Sequence, residues 1–392
     1  MRTDNLHTFE LYIHIPFCVR KCRYCDFLSF PTDPDIRLAY VESLTEEIKR
    51  SAGLTDRLAQ DGAVLDTVFI GGGTPSLLTG DQIQRILKAV RDYYPLSKKA
   101  EISMEANPGT LTMDRLGAIY EAGVNRLSIG LQSTEDRLLR ILGRIHTFDT
   151  FLIQYRDARN IGFSNINIDL MSGLPGQRPE DWKRTLETVG DLAPEHISAY
   201  SLILEEGTPF RDDPEILAAL PDEEADREMY HMTRSVLARR GYERYEISNY
   251  AGKGFACRHN LGYWDGVPYL GCGIGAASYW PDENGKMARF SNVSDIRDYI
   301  RKPFRSPDIR EDYQILSTGD RMEEYMFLGL RKMSGISIKR FADLFGRGME
   351  EVYGPVIDRY LKAGLLYKEE DCLRLTEAGI DVSNSIFCDF LL

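Results

Sequence analysis

Cys18, Cys22 and Cys25 place three thiols in eight residues, directly after the short apolar run Tyr12-Ile13-His14-Ile15-Pro16-Phe17. Thiolates are soft donors that select zinc, copper(I) or iron–sulfur clusters. A structural zinc site closes with four ligands, usually drawn from two short pairs. Here there is one triplet and no second pair, so a zinc reading needs His14 or water as the fourth ligand. Three thiolates on a four-iron cubane instead leave one iron open to a small molecule that can offer an amine and a carboxylate.

Further along, Gly71-Gly72-Gly73-Thr74-Pro75 lets a backbone approach a ligand closely and expose its N–H and C=O groups. No Gly-Lys-Ser/Thr follows, which excludes a phosphate-binding P-loop. Polar residues recur where apolar runs end: Glu105 after Ile102-Ser103-Met104, Gln132 after Ile129-Gly130-Leu131, and Asp169 after Ile166-Asn167-Ile168. Carboxylates there can accept from ribose hydroxyls or an ammonium, and Arg144 can grip a carboxylate in fork geometry. A third constellation is Arg258-His259-Asn260-Leu261-Gly262-Tyr263-Trp264. Neutral imidazole ligates heme iron, two adjacent aromatic rings offer flat surfaces to a macrocycle, and a guanidinium pairs with a propionate. A hydrogen-bonded core histidine among aromatics is the alternative for His259. Gly271-Cys272-Gly273-Ile274-Gly275-Ala276 imitates a dinucleotide fingerprint, but Pro281 and Asn284-Gly285 stop any following helix, so its glycines serve a ligand groove or tight packing. Cys257 and Cys272 read as buried apolar thiols, and Cys372 and Cys388 as structural.

The elements that must position these residues follow from hydrophobic spacing. Apolar runs at 11–15, 67–70, 101–106, 126–132, 165–171 and 196–202 alternate with helical patterns, for example Ile36, Tyr40, Leu44 and Ile48 at four-residue intervals. Strand and helix in alternation make a parallel sheet with crossover helices, and six such units make an α/β fold, an open partial (β/α)6 barrel whose active site lies at the C-terminal strand ends. An acidic, proline-interrupted stretch over 205–228 marks the exit from the barrel. A second boundary is expected from Lys302-Pro303 to Ser306-Pro307. Beyond it the pattern helix, turn at Ile336-Ser337-Ile338, helix, helix and hairpin predicts an α+β extension ending in a winged-helix-like domain. Three segments result: 1–210, the barrel with the thiol site; 211–305, a connecting region with the His259 motif; and 306–392, the C-terminal domain.

Composition limits the partners. The chain has 392 residues, 43% of them hydrophobic, and a formal net charge of −12, which opposes non-specific attraction to nucleic acid or an anionic membrane. Seven cysteines, an odd number, point to free thiols in a reducing cytoplasm. No transmembrane segment is expected, which leaves peripheral contact at the inner face of a membrane.

Taken in order, the cysteine loop and the glycine run resemble the radical S-adenosylmethionine (radical SAM) superfamily, and the likeness narrows to its coproporphyrinogen-dehydrogenase-like branch over nearly the whole chain. The resemblance implies a [4Fe-4S] cluster on Cys18, Cys22 and Cys25. It implies S-adenosylmethionine held by Tyr12, Gly72, Gly73, Thr74, Glu105, Gln132, Arg144 and Asp169, with Tyr24 near the adenine. True dehydrogenases of the branch resemble Cys-x3-Cys-x2-Cys-x-Cys and carry an N-terminal extension; here Phe27 stands at the extra cysteine and 17 residues precede Cys18. The run His259-Asn260-Leu261-Gly262-Tyr263-Trp264 is similar to the signature of the HemW heme chaperones. That similarity implies heme binding by His259, Tyr263, Trp264 and Arg258, and transfer of heme to haem-accepting proteins such as membrane-bound respiratory enzymes, with a homodimer as one possible form. The rival expectation is an enzyme that oxidises coproporphyrinogen III; a methyltransferase or another porphyrin-modifying radical enzyme is the third.

Replacing Cys18, Cys22 and Cys25 together with Ala is expected to abolish cluster assembly, because no other soft donors stand nearby. Iron and sulfide analysis after anaerobic reconstitution checks this, and full occupancy in the triple variant would refute the assignment.

Overall fold

Period-two alternation along the N-terminal strands decides the architecture. In the computed structural model, which describes residues 7–301 and 309–392, six parallel strands follow one another in both sequence and space: β1 (Thr8–Ile15), β2 (Val64–Gly72), β3 (Leu96–Ala106), β4 (Arg126–Gln132), β5 (Ile166–Ser172) and β6 (His196–Ser201). Leu11, Ile13, Val68, Ile70, Ile102, Met104, Leu127, Ile129, Ile168 and Leu170 are buried in the main apolar cluster, beneath the crossover helices. Residues at alternate positions point to the other face of a strand, and here they are polar or aromatic: Glu10 and Tyr12, Thr67 and Phe69, Glu101 and Glu105, Arg126 and Ser128, Asn167 and Asp169, His196 and Tyr200. The register keeps these residues level, with Glu10 opposite Thr67, Thr67 opposite Glu101 and Ser128 opposite Asn167. The sheet therefore curls around a polar interior with apolar residues outside, as an open partial barrel.

The crossover helices carry their own start signals. Helix Gly80–Tyr93 opens on a capping box in which Thr79 and Gln82 satisfy each other's backbone N–H. The helix Pro34–Ser51 begins with proline, whose missing N–H would have had no partner there. Helix Pro179–Asp191 buries Trp182, whose indole N–H donates to Thr233 Oγ1 (2.9 Å) and Met229 O (3.1 Å) of the helix Glu223–Ala238, tying the two together.

Residues expected to connect two domains are instead part of the same sheet. After β7 (Glu243–Arg244) and β8 (Asn249–Ala251) extend the β6 edge, the chain crosses to the opposite edge, where β9 (Tyr269–Cys272) pairs parallel with β1. Then β10 (Ala277–Pro281), β11 (Met287–Asn292) and β12 (Arg310–Ile315) continue it antiparallel, making twelve strands. The physical reason is the edge of β1, whose unpaired N–H and C=O groups need a partner strand. β12 was expected in the C-terminal domain and pairs with β11 instead. The expected boundary over 302–307 lies outside the described residues. Within the Gly271–Ala276 run, Gly271 and Cys272 end β9 and residues 273–276 turn the chain into β10. Gly273 has φ +101°, and a Cβ there would lie 2.7 Å from His14 O, so packing is the use of these glycines.

The C-terminal unit has its own core of Met326, Leu330, Phe341, Tyr353, Ile357, Leu373 and Phe390. Helices Thr318–Gly329, Ile338–Phe345 and Met349–Lys362 pack with a three-stranded antiparallel sheet of β13 (Ile336–Ser337), β14 (Leu366–Glu369) and β15 (Cys372–Leu375) in the order β13-β15-β14. That is the winged-helix-like order. Among the described residues no helix is long and apolar enough to cross a membrane.

Gly273→Ala is expected to destabilise the protein by at least ~1 kcal/mol, because the positive-φ backbone disfavours a Cβ and the neighbours it would strike are the buried Tyr40 hydroxyl and His14 O. Urea unfolding of the two proteins measures it, and equal midpoints would overturn the close-packing role.

Candidate functional site at the mouth of the barrel

The cysteine loop leaves the C-terminal end of β1 and stays half exposed, with all three thiols free. Burial, helped by the neighbouring Cys25 and Cys22, pushes the Cys18 thiol up. Among the described residues no three His, Cys, Asp or Glu side chains group as ligands of one metal ion. His14, the fourth ligand a zinc site would need, is used elsewhere: Nδ1 hydrogen-bonds with Tyr12 Oη (3.0 Å) and Nε2 donates to Leu28 O (2.9 Å). Its ring also covers Gly72, where a Cβ would come within 2.6 Å.

Around the loop the barrel mouth brings the other predicted residues together. Gly72 N donates to Glu105 Oε2 (3.0 Å), joining the glycine run to the end of β3. Glu105 is pushed up to about 8, first by burial and then by the charge of Asp169. Asp169 is itself raised by burial, although Asn167 Nδ2 (2.7 Å) and Ser128 Oγ (3.2 Å) donate to it. Two carboxyls that share a buried, electrostatically coupled space hold a proton at neutral pH. Arg144 reaches over the loop, donating through Nη1 to Cys22 Sγ (3.6 Å) and through Nη2 to Gly130 O and Asn107 Oδ1, while its Nε is buried with no partner. Tyr24 packs on Phe210 beside Arg144. Gln132 sits at φ +72° where the register of β4 against β5 shifts, and accepts from Tyr200 Oη (3.0 Å). A positive φ on a side chain with a Cβ is a strained arrangement that clusters at ligand sites.

Sequence reasoning overlooked Asn107, which donates to Thr74 Oγ1 (2.7 Å) while accepting from Arg144 and so bridges the glycine run to the arginine. It also overlooked Tyr200, and the exit segment that returns to the loop through Arg23–Asp213 (2.7 Å) and Phe210 N to Arg23 O (3.1 Å). The sole signal for Asn107 was its place two residues after Glu105. This donor set fits a [4Fe-4S] cluster with a chelating amino acid: soft thiols, an unused guanidinium N–H, a carboxyl facing a glycine amide. When bound, that pair supplies one-electron chemistry at the sulfonium. The chain's own residues would hold it, Cys18, Cys22 and Cys25 by thiolate and Arg144, Glu105 and Gly72 by hydrogen bonds.

The His259 motif lies at the opposite end of the barrel. Helix Arg258–Asp265 closes the N-terminal strand ends: Arg258 N donates to Glu101 Oε2 (3.0 Å), Arg258 Nη1 to Lys99 O (2.7 Å), and its guanidinium pairs with Asp66. His259 is buried, stacked on Phe69 with centroids 5.1 Å apart. Both of its ring nitrogens are engaged, Nδ1 with Thr67 Oγ1 (2.6 Å) and Nε2 with Tyr263 Oη (2.9 Å). Burial, then Arg126, pushes it down to about 3, so it is neutral. In this arrangement the imidazole offers no open nitrogen to a metal, whereas Tyr263 and Trp264 line a cavity. Glu10 faces His259 and lies against Gly262, where a Cβ would come within 1.9 Å of its carboxylate.

Burial pushes Glu10 up to about 9, the Thr67 hydrogen bond opposing it. A carboxyl raised in the folded state contributes stability that is full below its unfolded pKa of 4.5 and is lost as pH rises through about 9. Glu10→Gln removes that titration. Urea unfolding at pH 6 and pH 9.5 is expected to show a smaller alkaline loss of stability in the variant than in the parent; equal losses would count against a protonated Glu10.

Known proteins agree with this layout. A model of the radical SAM superfamily matches residues 12–189, and a model of the HemN C-terminal domain matches 316–382. Heme chaperone HemW of Bacillus subtilis is 38% identical over 387 residues, 97% of this chain and 98% of that one. Its namesakes in Lactococcus lactis (36%, 97% of each chain) and Escherichia coli (35%, 99% of each chain) are similarly close. The solved structure of Escherichia coli coproporphyrinogen III oxidase HemN, described as a radical SAM enzyme, superposes with a TM-score of 0.82 at 24% identity over 98% of this chain and 90% of that one, which establishes the shared fold. With the thiol loop, glycine run and polar barrel mouth in the order of the superfamily and full-length identity to these relatives, the chain belongs to the radical SAM superfamily and, within it, to the HemW family.

Proposed function

We propose that this protein binds heme and delivers it to haem-dependent proteins, on a scaffold that carries a [4Fe-4S] cluster and S-adenosylmethionine at the barrel mouth. The observation that carries the reading is the end-to-end likeness to proteins named heme chaperone HemW, at 35–38% identity. Phe27 supports it from within the chain. At the position of the dehydrogenases' additional cysteine it presents an apolar ring that is 58% exposed, which cannot bind a metal. Separation of the two ends supports it too. The thiol loop and the carboxyls surround one mouth, while the aromatic pair Tyr263 and Trp264 belongs to the other, so a macrocycle can be held without lying against the cluster.

In this reading Cys18, Cys22 and Cys25 retain the cluster, and Arg144, Asn107, Thr74, Gly72 and Glu105 orient the methionine moiety beside it. Asp169, Gln132, Tyr12 and Tyr24 complete that pocket. Acceptors are haem proteins, membrane-bound respiratory enzymes among them, reached from the cytoplasm as monomer or homodimer with peripheral contact at the inner face of the membrane.

Anaerobic reconstitution followed by optical titration tests the proposal. Stoichiometric heme binding is expected, with transfer of the bound heme to an apo haem protein and no conversion of coproporphyrinogen III to protoporphyrinogen IX. Steady product formation above a cluster-free control would replace the chaperone reading with the enzyme.

A further inference from the structure

His146 stands two residues after Arg144, in the linker between helix Asp136–Leu142 and helix Phe148–Ile161. The linker is pinned at both ends. Gly143 closes the first helix in the left-handed conformation (φ +78°), Thr147 caps the second by accepting from Thr150 N, and Phe148 N donates to Asp136 Oδ1 (2.8 Å). Gly109, on the loop that carries Asn107, packs against the same linker, where a Cβ on it would come within 3.5 Å of Ile145 and 3.8 Å of His146 Cβ. The His146 imidazole is 5% exposed, and neither Nδ1 nor Nε2 has a hydrogen-bond partner. His14, His196 and His259 are buried too, but with both ring nitrogens engaged.

A buried ring with two unmade hydrogen bonds costs free energy that an apolar side chain of similar size does not. Burial, then the charge of Arg144, pushes His146 down to about 3, with the Leu131 backbone opposing the shift. The ring is therefore neutral and carries one N–H and one lone pair. Two neighbours match those needs. Arg144 Nε is itself buried with no partner. Leu131 is the residue passed over where the register of β4 shifts against β5, and it directly precedes Gln132 at φ +72°. The imidazole thus adjoins both the arginine of the barrel mouth and its strained glutamine.

Resting on the S-adenosylmethionine reading above, we propose that His146 is a positioning residue of that site: its lone pair takes the Arg144 Nε–H and its N–H goes to Leu131 O, which aims the terminal guanidinium nitrogens at the ligand's carboxylate and holds Gln132 in its left-handed conformation. The ring acts through Arg144 and Gln132 and does not touch the ligand. Its neutrality belongs to the role, because an imidazolium has no lone pair for Nε–H and would set a second positive charge beside the arginine.

The test uses the full chain with its cluster reconstituted anaerobically and reduced with dithionite, and follows S-adenosylmethionine binding by the change it causes in the electron paramagnetic resonance signal of the cluster. His146→Leu is similar in volume and removes both ring nitrogens. It is expected to weaken S-adenosylmethionine at least ~5-fold, as loss of a hydrogen bond to a charged group does, with iron and sulfide content unchanged. Its urea midpoint is expected to equal or exceed the parent's, because an orphaned polar ring gives way to an apolar side chain. His146→Gln, which keeps a donor and an acceptor, is expected to recover most of the affinity. In an Arg144→Lys background, which lacks Nε–H, His146→Leu is expected to cause no further loss. Parent-like affinity in His146→Leu overturns the proposal, and so does a lowered urea midpoint or a failure to fold, either of which makes His146 a core residue. A full further loss in the Arg144→Lys background overturns action through Arg144. Failure of the parent itself to bind S-adenosylmethionine overturns the reading beneath the inference, a separate result.

Discussion

The whole molecule turns on a polar interior enclosed by an apolar sheet. Six strands send Leu, Ile, Val and Met outward to the helices and Glu, Asp, Asn, His, Arg and Ser inward, and a buried polar group without a partner costs on the order of 1–3 kcal/mol. The interior side chains therefore pair among themselves. Asn167 donates to Ser128 (2.7 Å) and Asp169 (2.7 Å) and accepts from Ser198 (3.1 Å), and it meets His196 (2.6 Å), which in turn meets Tyr245 (2.9 Å). This network holds Asn167, Asp169, Ser128, His196 and Tyr245 in fixed positions.

The barrel is closed at one end and open at the other. The mouth stays open, while helix Arg258–Asp265 plugs the N-terminal strand ends through Glu101, Asp66, Thr67 and Glu10. Ring contacts then run continuously through the barrel: Tyr12 on Phe69 (6.3 Å), Phe69 on His259 (5.1 Å), His259 on Tyr263 (4.7 Å) and Tyr263 on Tyr269 (4.6 Å). Mouth and plug are thus in physical contact through packed side chains. A displacement of Tyr12 at the mouth meets Phe69 and then His259 with no gap to absorb it, because close-packed interiors transmit strain.

The C-terminal unit is joined to this body by ion pairs, by the main-chain bond from Met333 N to Tyr245 O (2.9 Å) and by Tyr230, which packs against its core. Arg244 pairs with Glu377 (2.7 Å), Arg234 with the same carboxylate (3.0 Å), Arg289 with Glu324 (2.6 Å), and Arg331 lies over the Trp264 ring at 4.6 Å. Its own apolar core is separate. An interface of this kind, polar and flanking a large cavity, permits relative movement more readily than a shared hydrophobic core does.

Local chemistry and periodicity were legible in the chain alone. The thiol triplet, the glycine run, the six strand–helix units, the polar strand ends and the winged-helix order are written in spacings of a few residues, and spacing is a property of sequence. What the strands at 269–315 do was not legible, since pairing β9 with β1 depends on an edge more than 250 residues away. Nor was the position of Asn107 between Thr74 and Arg144, or the return of Phe210 to Tyr24. The His259 motif shows the limit most sharply. Its residue types suit heme, and sequence could not tell a ligand from a hydrogen-bonded core histidine, because that depends on Thr67 and Tyr263 taking both ring nitrogens. Sequence determined which chemistry this protein can hold; the tertiary structure decided which end of the barrel holds it, because contact between distant residues exists only once the chain has folded.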